Sequence, residues 1–242
     1  MIIKITSKAN SKIKDAVKLT KPSYQKEKGL FLAEGYHLFE MAKEEGLIDS
    51  VFTLKEVKGL DPLIPQYIID QEILEKISSL TSPQGIITLV KLPKEKEVSS
   101  RKILYLDDIS DPGNMGTIFR TALAFGFDDI VVTKGSVYPY SSKAIQASQG
   151  AIFKLNILTE DNYYLPRLKS LGYDVVVTYL KDAIDIEKTP KLDKFVLVLG
   201  NEAHGVGEVA LSFATYKVKI DIKNIESLNV AIAGAIAMYT LK

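Results

Sequence analysis

Three loops hold the residue types that could do chemistry. The first runs Asp107-Asp108-Ile109-Ser110-Asp111-Pro112-Gly113-Asn114-Met115-Gly116-Thr117-Ile118-Phe119-Arg120, directly after an apolar strand ending at Leu106. Pro presets φ, Gly frees it, and Asp and Asn bond back to their own backbone, so this composition specifies a tight turn into a helix. The exposed N–H groups at such a helix start suit an anion. Arg120, further along the helix, offers a rigid fork of donors to the same anion. An ordinary βα loop with a solvated arginine is the alternative. The second loop is Gly200-Asn201-Glu202-Ala203-His204-Gly205-Val206-Gly207, with three glycines around one acid. The third is Asp221-Ile222-Lys223-Asn224-Ile225-Glu226-Ser227-Leu228-Asn229-Val230, leading into a helix rich in Ala and Gly that can pack very close to a neighbour.

The elements that must position these loops follow from the apolar pattern. Strands are expected at Ile103–Leu106, Asp129–Thr133, Ile152–Leu155, Asp174–Thr178, Phe195–Leu199 and Tyr216–Ile220. Between them the pattern predicts helices at Thr117–Phe125, Ser141–Ser148, Asn162–Leu171, Glu208–Ala214 and Leu228–Leu241. Near-continuous apolar strands alternating with helices mean a parallel sheet covered on both faces. Ligands bind such sheets beyond the C-terminal strand ends, where all three loops sit. The front of the chain reads as a smaller α/β unit: a strand before Gly35, a helix Tyr36–Glu45, strands Ser50–Leu54, Tyr67–Asp70 and Gly85–Val90, and a helix Gln71–Leu80. The charged stretch Lys91–Arg101 has no apolar period and reads as a linker.

Composition narrows the class of function. The 242 residues are 46% hydrophobic with a net charge of +1, so no global field points to nucleic acid. Residues 1–28, however, hold eight lysines against Asp15 and Glu27, and a basic amphipathic helix at Asn10–Thr20 suggests phosphate contact. A solvated lysine face is the alternative. Cysteine is absent and there are only two histidines, His37 and His204, so no metal site is expected. Met1-Ile2-Ile3-Lys4-Ile5 lacks the features of a secretion signal, and Leu228–Tyr239 is too short to span a bilayer, so a cytoplasmic protein is expected. Neither a dinucleotide fingerprint nor a nucleophile elbow is present.

Taken together, the loops resemble the three motifs of the SpoU (TrmH-like) branch of the SPOUT methyltransferases: N-x-G-x-x-x-R at Asn114, Gly116 and Arg120; L-G-N-E-x-x-G from Leu199 to Gly205; E-S-L-N-V from Glu226 to Val230. The front unit resembles the L30e-like substrate-binding domain of ribosomal-RNA members through Ser7-Lys8-Ala9-Asn10-Ser11 and Gly29-Leu30-Phe31-Leu32-Ala33-Glu34-Gly35. The resemblance implies an L30e-like RNA-binding domain at 1–96 and an α/β-knot methyltransferase domain at 97–242, a parallel sheet with a deep trefoil knot. It also implies S-adenosylmethionine as cofactor, methyl transfer to a ribose 2′-OH of RNA, ribosomal RNA first and transfer RNA as alternative, and a homodimer. By the same resemblance Arg120, Asn114, Glu202 and Asn229 are catalytic. Thr178, Leu199, Gly200, Ile220, Ile222, Leu228 and Asn229 hold the cofactor, and Lys8, Asn10, Lys12 and Arg120 meet RNA. The chain departs from the family at Asp221, where Pro is usual, at Asn224, near a usual Gly, and at Ala231, a usual Ser. These departures leave open an RNA-binding protein with a degenerate cofactor site.

Overall fold

The computed structural model describes residues 1–160 and 164–242. The chain forms two compact units. One comprises Met1–Lys94 with Tyr140–Phe153, the other Glu95–Pro139 with Lys154–Lys242. The division is therefore not linear, since fourteen residues from the back half of the sequence belong to the front unit.

In the first unit a mixed sheet has the order β1-β4-β3-β5-β2, from β1 (Ile2–Lys4), β2 (Leu30–Glu34), β3 (Ile48–Thr53), β4 (Gln66–Ile68) and β5 (Ile86–Lys91). The basic helix is α1 (Ser11–Lys18). Its N-cap is Asn10, whose side chain accepts from Lys12 N–H at 2.9 Å, and Ile13 and Ala16 turn into the core. A second helix that the sequence pattern did not reveal, α2 (Pro22–Lys28), follows with Pro in its first turn. The remaining helices are α3 (Tyr36–Glu44) and α4 (Gln71–Ile77), the latter capped by Asp70.

The second unit is built on a seven-stranded sheet, β10-β12-β9-β11-β6-β7-β8, in which every recorded pairing is parallel. Its strands are β6 (Lys102–Leu106), β7 (Asp129–Thr133), β8 (Asn156–Glu160), β9 (Asp174–Thr178), β10 (Ile184–Asp185), β11 (Phe195–Leu199) and β12 (Tyr216–Lys219). The central strands β7 and β11 are buried at every residue, which is why they read as unbroken apolar runs. From β6 the chain proceeds one way to β7 and β8, then returns on the other side through β9 and β11. β6 and β11 thus flank the point where strand order reverses, the usual place for a ligand crevice.

Around the sheet lie α5 (Pro112–Ala124), α7 (Tyr164–Ser170), α8 (Glu208–Phe213) and α9 (Val230–Leu241). α5 begins five residues earlier than the pattern predicts. Asp111 caps it through Asn114 N–H at 2.8 Å and Pro112 occupies the first turn, so the Asp-Pro-Gly-Asn stretch is the start of the helix itself. A larger correction concerns Ile152–Leu155, expected as a strand. Ala151–Phe153 is a 3-10 turn after α6 (Ser142–Ser148), buried in the first unit, and the strand lies at Asn156–Glu160. The apolar run is apolar because it enters another core, not because it lies in the sheet. The expected helix start at Asn162 lies outside the described residues. Among the described residues no helix is long and apolar enough to cross a membrane.

α9 is capped by Asn229 and buries Ala231, Gly234, Ala237 and Met238. A Cβ on Gly234 would stand 2.6 Å from Leu199 Cδ1, so the small residues do permit close approach. Its outer side leaves Ile232 and Tyr239 more than half exposed.

Candidate active site

Parallel pairing puts the loops after β6, β9, β11 and β12 at one edge of the sheet. The loops after β6 and β11 separate only after Asp107 N–H donates to Leu199 O at 2.8 Å. The Asp107 carboxylate, 5% exposed, accepts from Gly207 N–H at 2.7 Å and ties the base of the second loop to the first. Burial pushes this carboxyl above its usual range, with Gly207 opposing and Asp108 adding. Asp108 is left-handed, at φ 59°, and three bonds hold it there. Its N–H donates to Thr133 Oγ1 at 2.9 Å, that hydroxyl donates to its Oδ1 at 2.7 Å, and Asn201 Nδ2 donates to its carbonyl at 2.7 Å.

Glu202 clamps the second loop onto the start of α5. Its Oε2 accepts from Ser110 N–H at 3.0 Å and Ser110 Oγ at 2.6 Å. Its Oε1 accepts from Asp111 N–H at 3.1 Å and Asn114 Nδ2 at 3.0 Å. Burial alone would raise the pKa of this carboxyl, but the donors from Asn114 and Ser110 outweigh it and hold it at about 2. The chain of amides continues. Asn114 Oδ1 accepts from Asn229 Nδ2 at 3.0 Å, while Asn229 Oδ1 caps α9 through Ala231 N–H at 2.9 Å and Ile232 N–H at 3.3 Å. Capping commits the oxygen of Asn229, so its nitrogen must face Asn114. That in turn directs the nitrogen of Asn114 at Glu202. All three loops are thus joined by Asn229, Asn114 and Glu202.

Beside this clamp lies a cavity of about 410 Å³. Six of the residues expected to hold a cofactor, Thr178, Leu199, Gly200, Ile220, Ile222 and Leu228, line it. Glu202 lines it too, whereas Asn229, Asn114 and Arg120 do not. Gly200 is required by packing: a Cβ there would stand 2.3 Å from the Gly205 carbonyl carbon and the Val206 nitrogen, across a turn closed by reciprocal Asn201–Gly205 backbone bonds of 2.9 Å. Tyr179, Lys181, His204 and Ser227 also line the cavity and were missed. The signal for Tyr179 and Ser227 was adjacency, since each neighbours an expected residue. Asn224 adopts a left-handed φ of 66°, which Asn tolerates better than other side chains, and neither it nor Asp221 lines the cavity.

Arg120 stands exposed on α5. Of three arginines in the sequence, Arg101 is paired with Asp193 and Arg167 with Glu97, while Arg120 has neither a hydrogen bond nor an ion pair among the described residues. In the first unit, Lys8 is bound to Glu72 at 2.7 Å and the Asn10 oxygen is spent on its cap, so that Lys12 and Arg120 are the two members of the expected RNA set without a side-chain partner among the described residues. Gln146, Ser148 and Gln149 lie in the first unit, where Gln146 Nε2 donates to Glu34 O at 2.9 Å. Tyr140 is buried there against Phe31 with ring centroids 5.1 Å apart.

Comparison with known proteins agrees with this geometry. Residues 101–239 match the SpoU rRNA methylase family, and residues 10–88 match an MRM3-like substrate binding domain. The chain is 32% identical over 244 residues to the 23S rRNA (guanosine(2553)-2′-O)-methyltransferase RlmP of Bacillus subtilis, covering 98% of each. Among solved structures, an AdoMet-bound rRNA methyltransferase from Sinorhizobium meliloti superposes with a TM-score of 0.89 at 25% identity, covering 99% of this chain and 97% of that one. A TrmH-family putative RNA methyltransferase from Porphyromonas gingivalis gives a TM-score of 0.85 at 27% identity, covering 98% and 99%. The family match spans more than half of the sequence and includes all three loops that Asn229, Asn114 and Glu202 join: the chain belongs to the SpoU rRNA methylase family.

Proposed function

We propose that the protein transfers a methyl group from S-adenosylmethionine to a ribose 2′-OH of ribosomal RNA, acting as a cytoplasmic homodimer. The observation that carries the reading is the cavity where the β9, β11 and β12 loops meet, with the Glu202 clamp at its edge. Its residues fit the cofactor: the volume lies within the common range for small-molecule sites, Leu199, Ile220, Ile222 and Leu228 give apolar walls, and Thr178 and Glu202 give polar ends. When bound, S-adenosylmethionine supplies an electrophilic methyl on a sulfonium. The ionised Glu202 is electrostatically suited to lie near that positive charge.

The chain's own residues supply positioning and charge. A guanidinium stays protonated to about pH 12 and above, so Arg120 is a poor base. Unengaged, it is suited to hold an RNA phosphate and stabilise alkoxide character developing on the 2′ oxygen. Asn114 has its oxygen and one N–H spent on Asn229 and Glu202, and therefore orients α5 rather than the ribose. Lys12 on α1 is suited to contact phosphate in the first unit. A ribosomal substrate is supported by the substrate-binding match and by the activity in the name of the Bacillus relative. The dimer is supported by the uncovered Ile232 and Tyr239 on α9. The implied knot is supported by the return of α9, after β12, to pack on α5.

Methyl transfer to ribosomal RNA from a deletion strain, with 2′-O-methyl positions mapped before and after addition of the protein, tests the reading. One restored position is expected. Arg120→Ala should abolish transfer and leave the calorimetric affinity for S-adenosylmethionine unchanged. No modified ribose, or modification of transfer RNA alone, would overturn the substrate, and full transfer by the alanine variant would remove Arg120 from the mechanism.

A further inference from the structure

The charged linker is one of three places where the chain passes between the units; the others are Pro139–Tyr140 and Phe153–Lys154. The segment between the last two, Tyr140–Phe153, is part of the first unit's core. β2 is an edge strand of that unit, yet four of its five residues are buried. An uncovered apolar edge invites pairing with other chains, and proteins cover it with a helix or loop. α6 packs on β2 and supplies that cover.

The contacts are specific. Phe31, fully buried in β2, has Tyr140 at 5.1 Å and Phe153 stacked at 6.1 Å between ring centroids. Gln146 Nε2 donates to Glu34 O at 2.9 Å, Gln25 Nε2 donates to Tyr140 O at 3.3 Å, and the His37 ring lies 3.2 Å from Gln149 O. At Gly150, φ +87°, a Cβ would stand 2.8 Å from Met41 Cγ.

Just before this segment the chain is laced to the first loop. Ile109 N–H donates to Ser136 Oγ at 3.0 Å and Val137 N–H donates to Ile109 O at 2.8 Å. Only Tyr138 and Pro139 separate that anchor from Tyr140, and proline fixes its own φ.

We propose that the front unit is not a separable module. Residues Tyr140–Phe153 are its docking element, and through Ser136–Pro139 they couple RNA held on that unit to the turn that starts α5. The coupling rests on the RNA-methyltransferase reading; the docking does not.

A protease site inserted between Lys94 and Glu95 tests this. After cleavage, fragments 1–94 and 95–242 are expected to co-elute on gel filtration. In a Tyr140→Ala/Phe153→Ala chain, cut in the same way, they are expected to separate. Uncut, that variant should keep its affinity for S-adenosylmethionine and raise KM for RNA several-fold. Should it not fold, Gln146→Ala/His37→Ala, which removes two polar ties and leaves the rings, is expected to weaken fragment association measurably on dilution. Separation of the cut wild-type chain, or association that survives both variants, overturns the docking. Unchanged KM for RNA in the uncut ring variant overturns the coupling. Intact association in a protein that never methylates RNA would fault the proposed function instead.

Discussion

The amide chain Asn229–Asn114–Glu202 has a direction, and reversing it is a quantitative test. Glu202→Gln keeps the shape and replaces one oxygen with a donor. The introduced glutamine must keep its oxygen at the Asn114 side, because Asn114 cannot turn over while Asn229 donates to it. The new amide nitrogen then faces Ser110 N–H, so one hydrogen bond is lost, about 1 kcal/mol. Asn229→Asp still caps α9 but cannot donate to Asn114. Either two oxygens face one another, or Asn114 turns and presents its oxygen to Glu202, for a cost of about 1–2 kcal/mol. In the double variant the whole chain can reverse. Asn114 turns, donates to the carboxylate introduced on the α9 cap and accepts from the amide introduced in the second loop, and only the Asp111 N–H bond is lost. The costs should therefore fall short of additivity by about 1 kcal/mol. For a chain of this size that is a recovery of about 2–4 °C in the thermal midpoint, measured across the four proteins of the cycle. Strictly additive costs would show that the amides do not act as a directed chain.

Three other outcomes are expected. A carboxyl depressed in the folded state contributes stability above its unfolded pKa of about 4.3, so the Glu202 contribution should be constant at neutral pH and fade from there towards about 2. The stability gap between wild type and Glu202→Gln, followed by unfolding across pH, should close over that window. Asp107 has the opposite sign: burial raises it, so its charged form is disfavoured. Asp107→Asn, which still accepts from Gly207, should melt higher than wild type at pH 8, with the advantage shrinking as pH falls. Gly200→Ala places a Cβ against backbone that has no side chain to yield, so calorimetry should show loss of S-adenosylmethionine binding.

The parallel sheet was legible because β7 and β11 are buried on both faces and leave unbroken apolar runs. The same logic failed at Ile152–Leu155, since an apolar run reports burial and not which core does the burying. Phe153 is apolar for Phe31, and that pairing is invisible to local periodicity. β1 and β10, three and two residues long, are edge elements whose pairing is supplied by β4 and β12. Strands that short have no period to read.

The site was legible in a different way. Residue types and order marked the three loops, but the Asp111 cap and the Pro112 first turn were read as loop, and the last helix was expected to start two residues too early, at Leu228. What spacing could not reveal is that a cap forces the partner of the next amide. The resemblance named Asn229 only as a functional residue; the structure shows it capping α9, and capping is what orients its nitrogen at Asn114. Arg120 is informative for the reverse reason. Every link from α9 to Glu202 is made, whereas the arginine on the same helix as Asn114 is left with no internal partner among the described residues. A cation kept uncommitted on the helix that carries Asn114 is poised for something that arrives from outside, and a polyanion satisfies that requirement without rearranging any bond in the clamp.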